Sequence, residues 1–273
     1  MKTRIIAAAV LIPLLLILVL AAPEIIAAIV YALILALSVF ELLYRTRLVR
    51  HTRLVIYSAV MAAGVCMWSF FGAVQAYGLL GLLVFVVLLF TEMMSNHVKI
   101  HFETIAMCFV AGFVFPYLLS AVIRILTMHN GRVMILIPFV VAFLSDAGAY
   151  FVGLKFGRHK LAPVVSPNKT MEGVAGGLVA SILGMLVYGL ILQLALNYRV
   201  NYGLAILYGL AGSMAGVFGD LCFSAIKRQT GIKDYGNLIP GHGGILDRFD
   251  SMLTVAPLIE ALLLVLPMAE EIW

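Results

Sequence analysis

Long apolar runs alternate with short polar stretches along this chain. The runs fall at about 5–22, 25–43, 54–72, 78–92, 104–126, 133–154, 172–195, 202–226 and 250–267. A helix needs roughly 20 apolar residues to cross a bilayer, and most of the runs are near that length. Backbone in lipid must satisfy its own N–H and C=O groups, so runs this continuous predict helices. The expected fold is therefore all-α and polytopic, with about nine transmembrane helices. The fourth run is short and is expected to be tilted or re-entrant. The opening "MKTRIIAAAVLIPLLLILVLAAPE" has the basic, apolar, small-residue order of a secretory signal. It is read here as the first membrane helix.

Composition agrees with the pattern. Hydrophobic residues make up 64% of the chain, charged residues 11%, and mean hydropathy is +1.12. A soluble domain has about half apolar and a quarter charged residues, so this is not a soluble protein. No nucleic-acid partner is expected. Cys66, Cys108 and Cys222 are scattered through apolar runs, which gives neither a disulfide framework nor a zinc pattern.

The charges set an orientation. With nine spans, Arg124, Arg132 and Arg199 fall on one side and the other fifteen of the 18 Lys and Arg residues on the opposite side. The positive-inside rule then puts the N-terminus in the cytoplasm and the C-terminus outside. Arg45, Arg47, Arg50 and Arg53 are read as topology signals, with contact to anionic lipid heads left open. The loops at 155–171 and 227–249 carry more charge than topology requires.

Several carboxylates lie where charge is costly. Asp146 falls inside the sixth run and Asp220 inside the eighth, each roughly two turns from the cytoplasmic end, and Asp247 and Asp250 open the ninth. Intramembrane acids must face a partner or an aqueous cavity. Asp247 and Asp250, at i and i+3, share a helix face, as do Asp220, Ser224 and Lys227. Hard divalent ions such as Mg²⁺ favour carboxylate oxygens and commonly hold substrate phosphates as well. A metal set of Asp220 and Asp247, supported by Asp250 and Asp146, is one reading. The other is a set of buried ion pairs to Lys227, Arg228 and Arg248. Asp146 could also orient a Lys or a ribose hydroxyl. Glu260 is taken as structural, and Glu41 as an ion pair with Arg45 at i+4.

The 227–249 loop adds Lys227, Arg228, Lys233, His242 and Arg248, with Gly236, Gly241, Gly243 and Gly244 allowing close approach of backbone to a ligand. Successive backbone N–H groups in such a turn suit an anion. His242 could be a metal ligand, a general base or a donor to phosphate; with no second His at ligand spacing, phosphate contact is favoured. "SPNKTMEG" at 166–173 has the same character, with Thr170 placed to cap the seventh helix. Glycines 209, 212, 216 and 219 are read as allowing close helix packing.

These residues resemble a known family. Ser224-Ala-Ile-Lys227-Arg228, then Lys233-Asp234-x-Gly236, then Ile239-Pro240-x-His242-Gly243-Gly244, then Asp247-Arg248-x-Asp250 is similar to the signature of the bacterial phosphatidate cytidylyltransferases, the CDP-diacylglycerol synthases. "SDAGAYFVGLKFGRHKLAPVVSPNKTMEG" resembles the family's upstream motif. Ala147 stands where members often carry Ser or Thr, and Met171 where an aromatic is common. The first 100 residues carry no diagnostic motif, so the chain divides into N-terminal helices at 1–100 and a catalytic region at 101–273.

The resemblance implies transfer of CMP from CTP to phosphatidic acid, giving CDP-diacylglycerol and pyrophosphate, with Mg²⁺ required and a second cation left open. It implies catalytic roles for Asp220, Asp247, Lys227 and His242. Substrate contacts fall to Ser166, Lys169, Thr170, Glu172, Ser224, Arg228, Lys233, Asp234, Gly243, Gly244 and Arg248, and metal contacts to Asp220, Asp247, Asp250 and Asp146. The expected setting is the cytoplasmic (inner) membrane, with the site facing the cytoplasm and a homodimer left open. The alternatives are a CTP-dependent polyprenol or dolichol kinase, which would release CDP, and an ion-coupled transporter.

Overall fold

The computed structural model of the chain describes residues 13–72, 75–238 and 243–271. Helix dominates it. Helical residues 13–20 are followed by α1 (Glu24–Phe40), α2 (Thr52–Phe71), α3 (Gln75–Ser95) and α4 (Phe102–Leu126). Then come α5 (Leu136–Phe156), α6 (Met171–Leu196), α7 (Tyr202–Gln229), α8 (Leu246–Phe249) and α9 (Met252–Val265). Among the described residues, 7 helical segments are long and apolar enough to cross a membrane, and they coincide with the second to eighth apolar runs. The first expected span, 5–22, lies partly outside the described residues, which begin at 13. The last corresponds to α9, of 14 residues, with Pro257 inside it.

The fourth run forms a longer element than its own length. Its helix, α3, has 21 residues, because it continues past 78–92 to Gln75 at one end and to Ser95 at the other. Two short antiparallel pairs were also not expected: β1 (Lys160–Ala162) with β2 (Ser166–Thr170), and β3 (Tyr198–Val200) with β4 (Ala269–Glu271). The first replaces most of the predicted 155–171 loop.

The chain divides into two compact units, residues 1–132 with 227–249 and residues 133–226 with 250–273. In the first, α1 packs on α2 through small buried positions such as Ala28, Ala62 and Cys66. A side chain at Gly112 would come 2.9 Å from the Ser58 Cα, so glycine sets how closely α4 meets α2. The Tyr31 hydroxyl donates to the Leu119 carbonyl at 3.0 Å, and its ring meets Phe249 edge-on at 5.8 Å.

In the second unit, small residues bring α5, α6 and α7 together. A Cβ on Gly177 would lie 2.7 Å from the Ser145 carbonyl, and one on Gly209 would lie 2.7 Å from the Ile182 Cα. Ser145 and Ser213 share a hydrogen bond of 2.6 Å, and Ser181 donates to the Gly209 carbonyl at 3.0 Å. Van der Waals contact and such hydrogen bonds drive helix association in lipid, where hydrophobicity cannot. Val179, Leu183 and Val187 form an exposed row along α6, and Leu79, Leu80 and Leu83 are exposed on α3. Such faces suit contact with acyl chains, and the chain is a polytopic membrane protein.

Candidate active site

Asp247 organises the charged loop of the first unit. Gly243 takes a left-handed φ of +85°, which turns the chain so that the Gly244 N–H points at Asp247 Oδ2, at 2.9 Å. The Tyr235 N–H donates to the same oxygen at 2.8 Å, and Lys227 Nζ sits 3.1 Å from Oδ1. The Asp247 and Lys227 side chains are only 3% and 13% exposed. A buried carboxylate is tolerated only when its lone pairs are met, and three donors meet them here. Lys227 also lies 5.4 Å from the Tyr235 ring centroid, close enough for a cation–π contact.

A second carboxylate holds the same loop from the N-terminal helices. After α1 the chain makes a π-helical turn, Glu41–Arg45, and Glu41 is buried at its start. Glu41 Oε2 accepts the Leu246 N–H at 2.9 Å. Its carboxyl fills the space that side chains at Gly236 and Gly244 would need: added Cβ atoms would fall 2.2 and 2.4 Å from its oxygens. Among the described residues no ion pair joins Glu41 to Arg45, so the i, i+4 pairing read from sequence is replaced by this longer-range contact.

In the second unit, Asp220 and Lys169 form the corresponding pair. Lys169 Nζ lies 2.5 Å from Asp220 Oδ2, and the Ser224 hydroxyl donates to Oδ1 at 3.1 Å. The pair is about a quarter exposed, so it stands nearer to solvent than Asp247 does. Lys169 is carried by β2. The next residue, Thr170, is buried, and its hydroxyl accepts the Gly173 N–H at 3.1 Å, capping α6 as expected. Glu172 accepts the N–H groups of Arg158 and His159 at 3.0 and 3.2 Å and lies 2.6 Å from His159 Nδ1. It thereby ties the start of the hairpin to the start of α6. Ser166 pairs with Ala162 across that hairpin.

Arg228, Lys233, Asp234 and Arg248 are exposed, and so is Asp146 on α5. Asp250 Oδ1 accepts the Ser251 N–H at 2.8 Å. A Cβ on Gly219 would lie 2.9 Å from the Asp250 carbonyl, so the backbone beside Asp220 runs close to that of Asp250. His242 lies outside the described residues. Among the described residues no three His, Cys, Asp or Glu side chains gather as a metal-binding group.

Taken separately, each of the two carboxylates, Asp220 and Asp247, keeps donor capacity of the kind a hard cation takes. A carboxylate oxygen has about two lone-pair sites. Each oxygen of Asp220 accepts one bond, and so does Asp247 Oδ1, which leaves hard oxygen donors on both side chains. Two residues of this site carried no signal of their own in sequence: Glu41, whose apparent partner was Arg45, and Tyr235, which contributes a backbone N–H.

Residues 2–266 match the sequence model of the cytidylyltransferase family. A phosphatidate cytidylyltransferase of Staphylococcus epidermidis is 41% identical over 197 residues, covering 70% of this chain and 71% of that protein. One of Staphylococcus saprophyticus is 40% identical over 184 residues, covering 66% of each chain. One of Staphylococcus aureus is 39% identical over 186 residues, again covering 66% of each.

Proposed function

The chain belongs to the cytidylyltransferase family, and from that premise we propose that it transfers CMP from CTP to phosphatidic acid, releasing pyrophosphate and leaving CDP-diacylglycerol in the membrane. The observation that carries this reading is the match over nearly the whole chain, together with relatives about 40% identical that bear the name phosphatidate cytidylyltransferase. The lipid belongs at this protein because its helices are built for a bilayer.

The chemistry asks for little acid–base help. A phosphomonoester has a second pKa of about 6, so the lipid phosphate arrives already anionic. One of its oxygens attacks the α-phosphorus of CTP. A new P–O bond forms, the bond to the β-phosphate oxygen breaks, and pyrophosphate leaves with the electron pair. The barrier is largely repulsion between polyanions and the charge gathering on pyrophosphate. Fixed cations and oriented N–H groups lower both.

Lys227, held by Asp247, supplies a fixed cation beside the Gly243–Gly244 turn. Arg228, Lys233 and Arg248 are exposed, where phosphate oxygens can reach them from solvent. Lys169, held by Asp220, gives a second fixed cation. Read from the sequence, Asp220, Asp247, Asp250 and Asp146 are the carboxylates that would hold Mg²⁺, and the ion would supply charge neutralisation. Nine crossings with the N-terminus and the 155–171 and 227–249 segments in the cytoplasm would bring CTP to this machinery from the compartment that contains it. That orientation rests on the distribution of cations along the sequence.

A product assay tests the reading. Purified protein given phosphatidic acid and CTP labelled in the cytosine should yield labelled lipid and one pyrophosphate per turnover. Release of CDP with a phosphorylated alcohol would identify a kinase instead, and no nucleotide turnover at all would remove the enzyme reading.

Glu41 gives a further expectation. Glu41→Ala leaves the Leu246 N–H without its acceptor, a loss worth about 1–3 kcal/mol. Turnover should fall roughly ten-fold as the loop loosens, since about 1.4 kcal/mol corresponds to a factor of ten. Glu41→Gln keeps a carbonyl acceptor and should recover most of the rate. Equal rates for Glu41→Ala and the parent at saturating substrates would show that this contact does not position the loop.

A further inference from the structure

We propose that the cavity at the end of α1 lined by Arg45, Arg47 and Arg50 binds the phosphate head of an anionic phospholipid. Resting on the transferase reading above, we assign it to the lipid phosphomonoester that accepts CMP. The cavity measures about 620 Å³, and Tyr44 and Val49 complete its lining.

The turn that presents the arginines is built rather than loose. The buried Thr46 hydroxyl donates to the Leu42 carbonyl and accepts the Leu48 N–H at 3.2 Å, while the Val49 N–H donates to the Leu43 carbonyl at 3.1 Å. Arg47 adopts a left-handed φ of +61°. That conformation costs an L-residue roughly 1 kcal/mol, so an ordinary loop would place Gly or Asn there. Positive-inside topology explains the sign of these charges but neither the concave arrangement nor this backbone.

Among the described residues, no carboxylate forms an ion pair with the three guanidinium groups. Arg45, Arg47 and Arg50 are exposed. Glu41, the acid nearest in sequence, is buried and engaged with Leu246. Three like charges around one cavity repel each other until an anion enters. Arginine forks match phosphate oxygens in pairs, and a phosphomonoester carries about −1.5 to −2 at neutral pH.

The location fits a lipid better than a free anion. Phe40 and Tyr44 stack at 5.0 Å and are both exposed just before the arginines, as aromatic side chains are at the level of lipid head groups. Arg45 follows Glu41 by one helical turn, and Glu41 lies against Gly236, Gly244 and Leu246. A head group held here would stand beside the loop assigned to the reacting phosphates.

The test uses the full-length protein in mixed micelles and in nanodiscs. With Arg45→Gln, Arg47→Gln and Arg50→Gln combined, the apparent KM for phosphatidic acid should rise about ten-fold or more. The KM for CTP should stay within about two-fold, and kcat at saturating lipid should fall far less than the lipid KM rises. Arg47→Gly, which suits the left-handed φ, guards against misfolding and should reproduce part of the effect with an unchanged melting temperature. A binding arm needs no turnover: fluorescent phosphatidic acid in phosphatidylcholine nanodiscs should lose contact with the triple variant. Unlabelled phosphatidic acid should displace the probe from the parent more effectively than phosphatidylglycerol or inorganic phosphate does. Unchanged lipid KM and unchanged binding would overturn the site. Equal displacement by phosphatidylglycerol or inorganic phosphate would overturn its assignment to the acceptor lipid. Absence of CDP-lipid from the parent protein would overturn the transferase reading, while the binding arm would still decide the cavity.

Discussion

Asp247→Ala is expected to abolish CDP-lipid formation and to destabilise the folded protein by about 3–5 kcal/mol, the cost typical of breaking a buried ion pair on one side. The carboxylate is 3% exposed and meets Lys227, the Tyr235 N–H and the Gly244 N–H. Its removal takes a carboxylate from beside a cation only 13% exposed and takes the acceptor that two buried N–H groups now use. Relaxation of the Gly243–Gly244 turn then removes the geometry on which phosphate positioning depends. Asp247→Asn should not rescue activity. One amide oxygen cannot take over both carboxylate oxygens, and the NH₂ group would face either Lys227 or the two N–H donors. Thermal unfolding in detergent, run beside the labelled-CTP assay, reads both losses. A variant that melts like the parent and still makes product would remove Asp247 from the centre of the loop.

The helices of this protein were legible in its sequence, while most of the site's contacts were not. Crossing a bilayer imposes a length on an apolar run, which is why the second to eighth runs return as helices. The β1–β2 hairpin escapes that logic, because strands of three and five residues are too short to show a period. Spacing rules captured Ser224 bonding to Asp220 one turn away and Thr170 capping α6. The same rules misplaced Glu41. An i, i+4 partner is worth only a few tenths of a kcal/mol on an exposed helix face, whereas a buried N–H such as that of Leu246 must find an acceptor. No periodicity relates Lys169 to Asp220 or Lys227 to Asp247; they are joined by tertiary structure alone. The glycines at 236 and 244 were read as room for a ligand, and in the structure the carboxyl of Glu41 occupies the space beside both.

Asp220→Ala should also abolish turnover, yet with a different thermal signature. Its side chain is 25% exposed and its partner Lys169 is 23% exposed, so solvent can take over much of what the pair supplies. Exposed or half-exposed pairs contribute only about 0–1 kcal/mol to stability, and the melting temperature should move by no more than a few degrees. What is lost is function: the carboxylate that orients Lys169 and Ser224 and offers oxygens with spare lone pairs to a hard cation. Asp220→Asn keeps an acceptor for Ser224 but gives up the charge, and it should remain as inactive as Asp220→Ala. Asp220→Glu should retain a trace of activity, because the charge is kept while its oxygens are displaced. The ratio of rate loss to stability loss separates the two carboxylates: large for Asp220, and accompanied by unfolding for Asp247. Should Asp220→Asn turn over CTP within ten-fold of the parent, charge at this position would be dispensable, and Lys169 would not need Asp220 to act on phosphate.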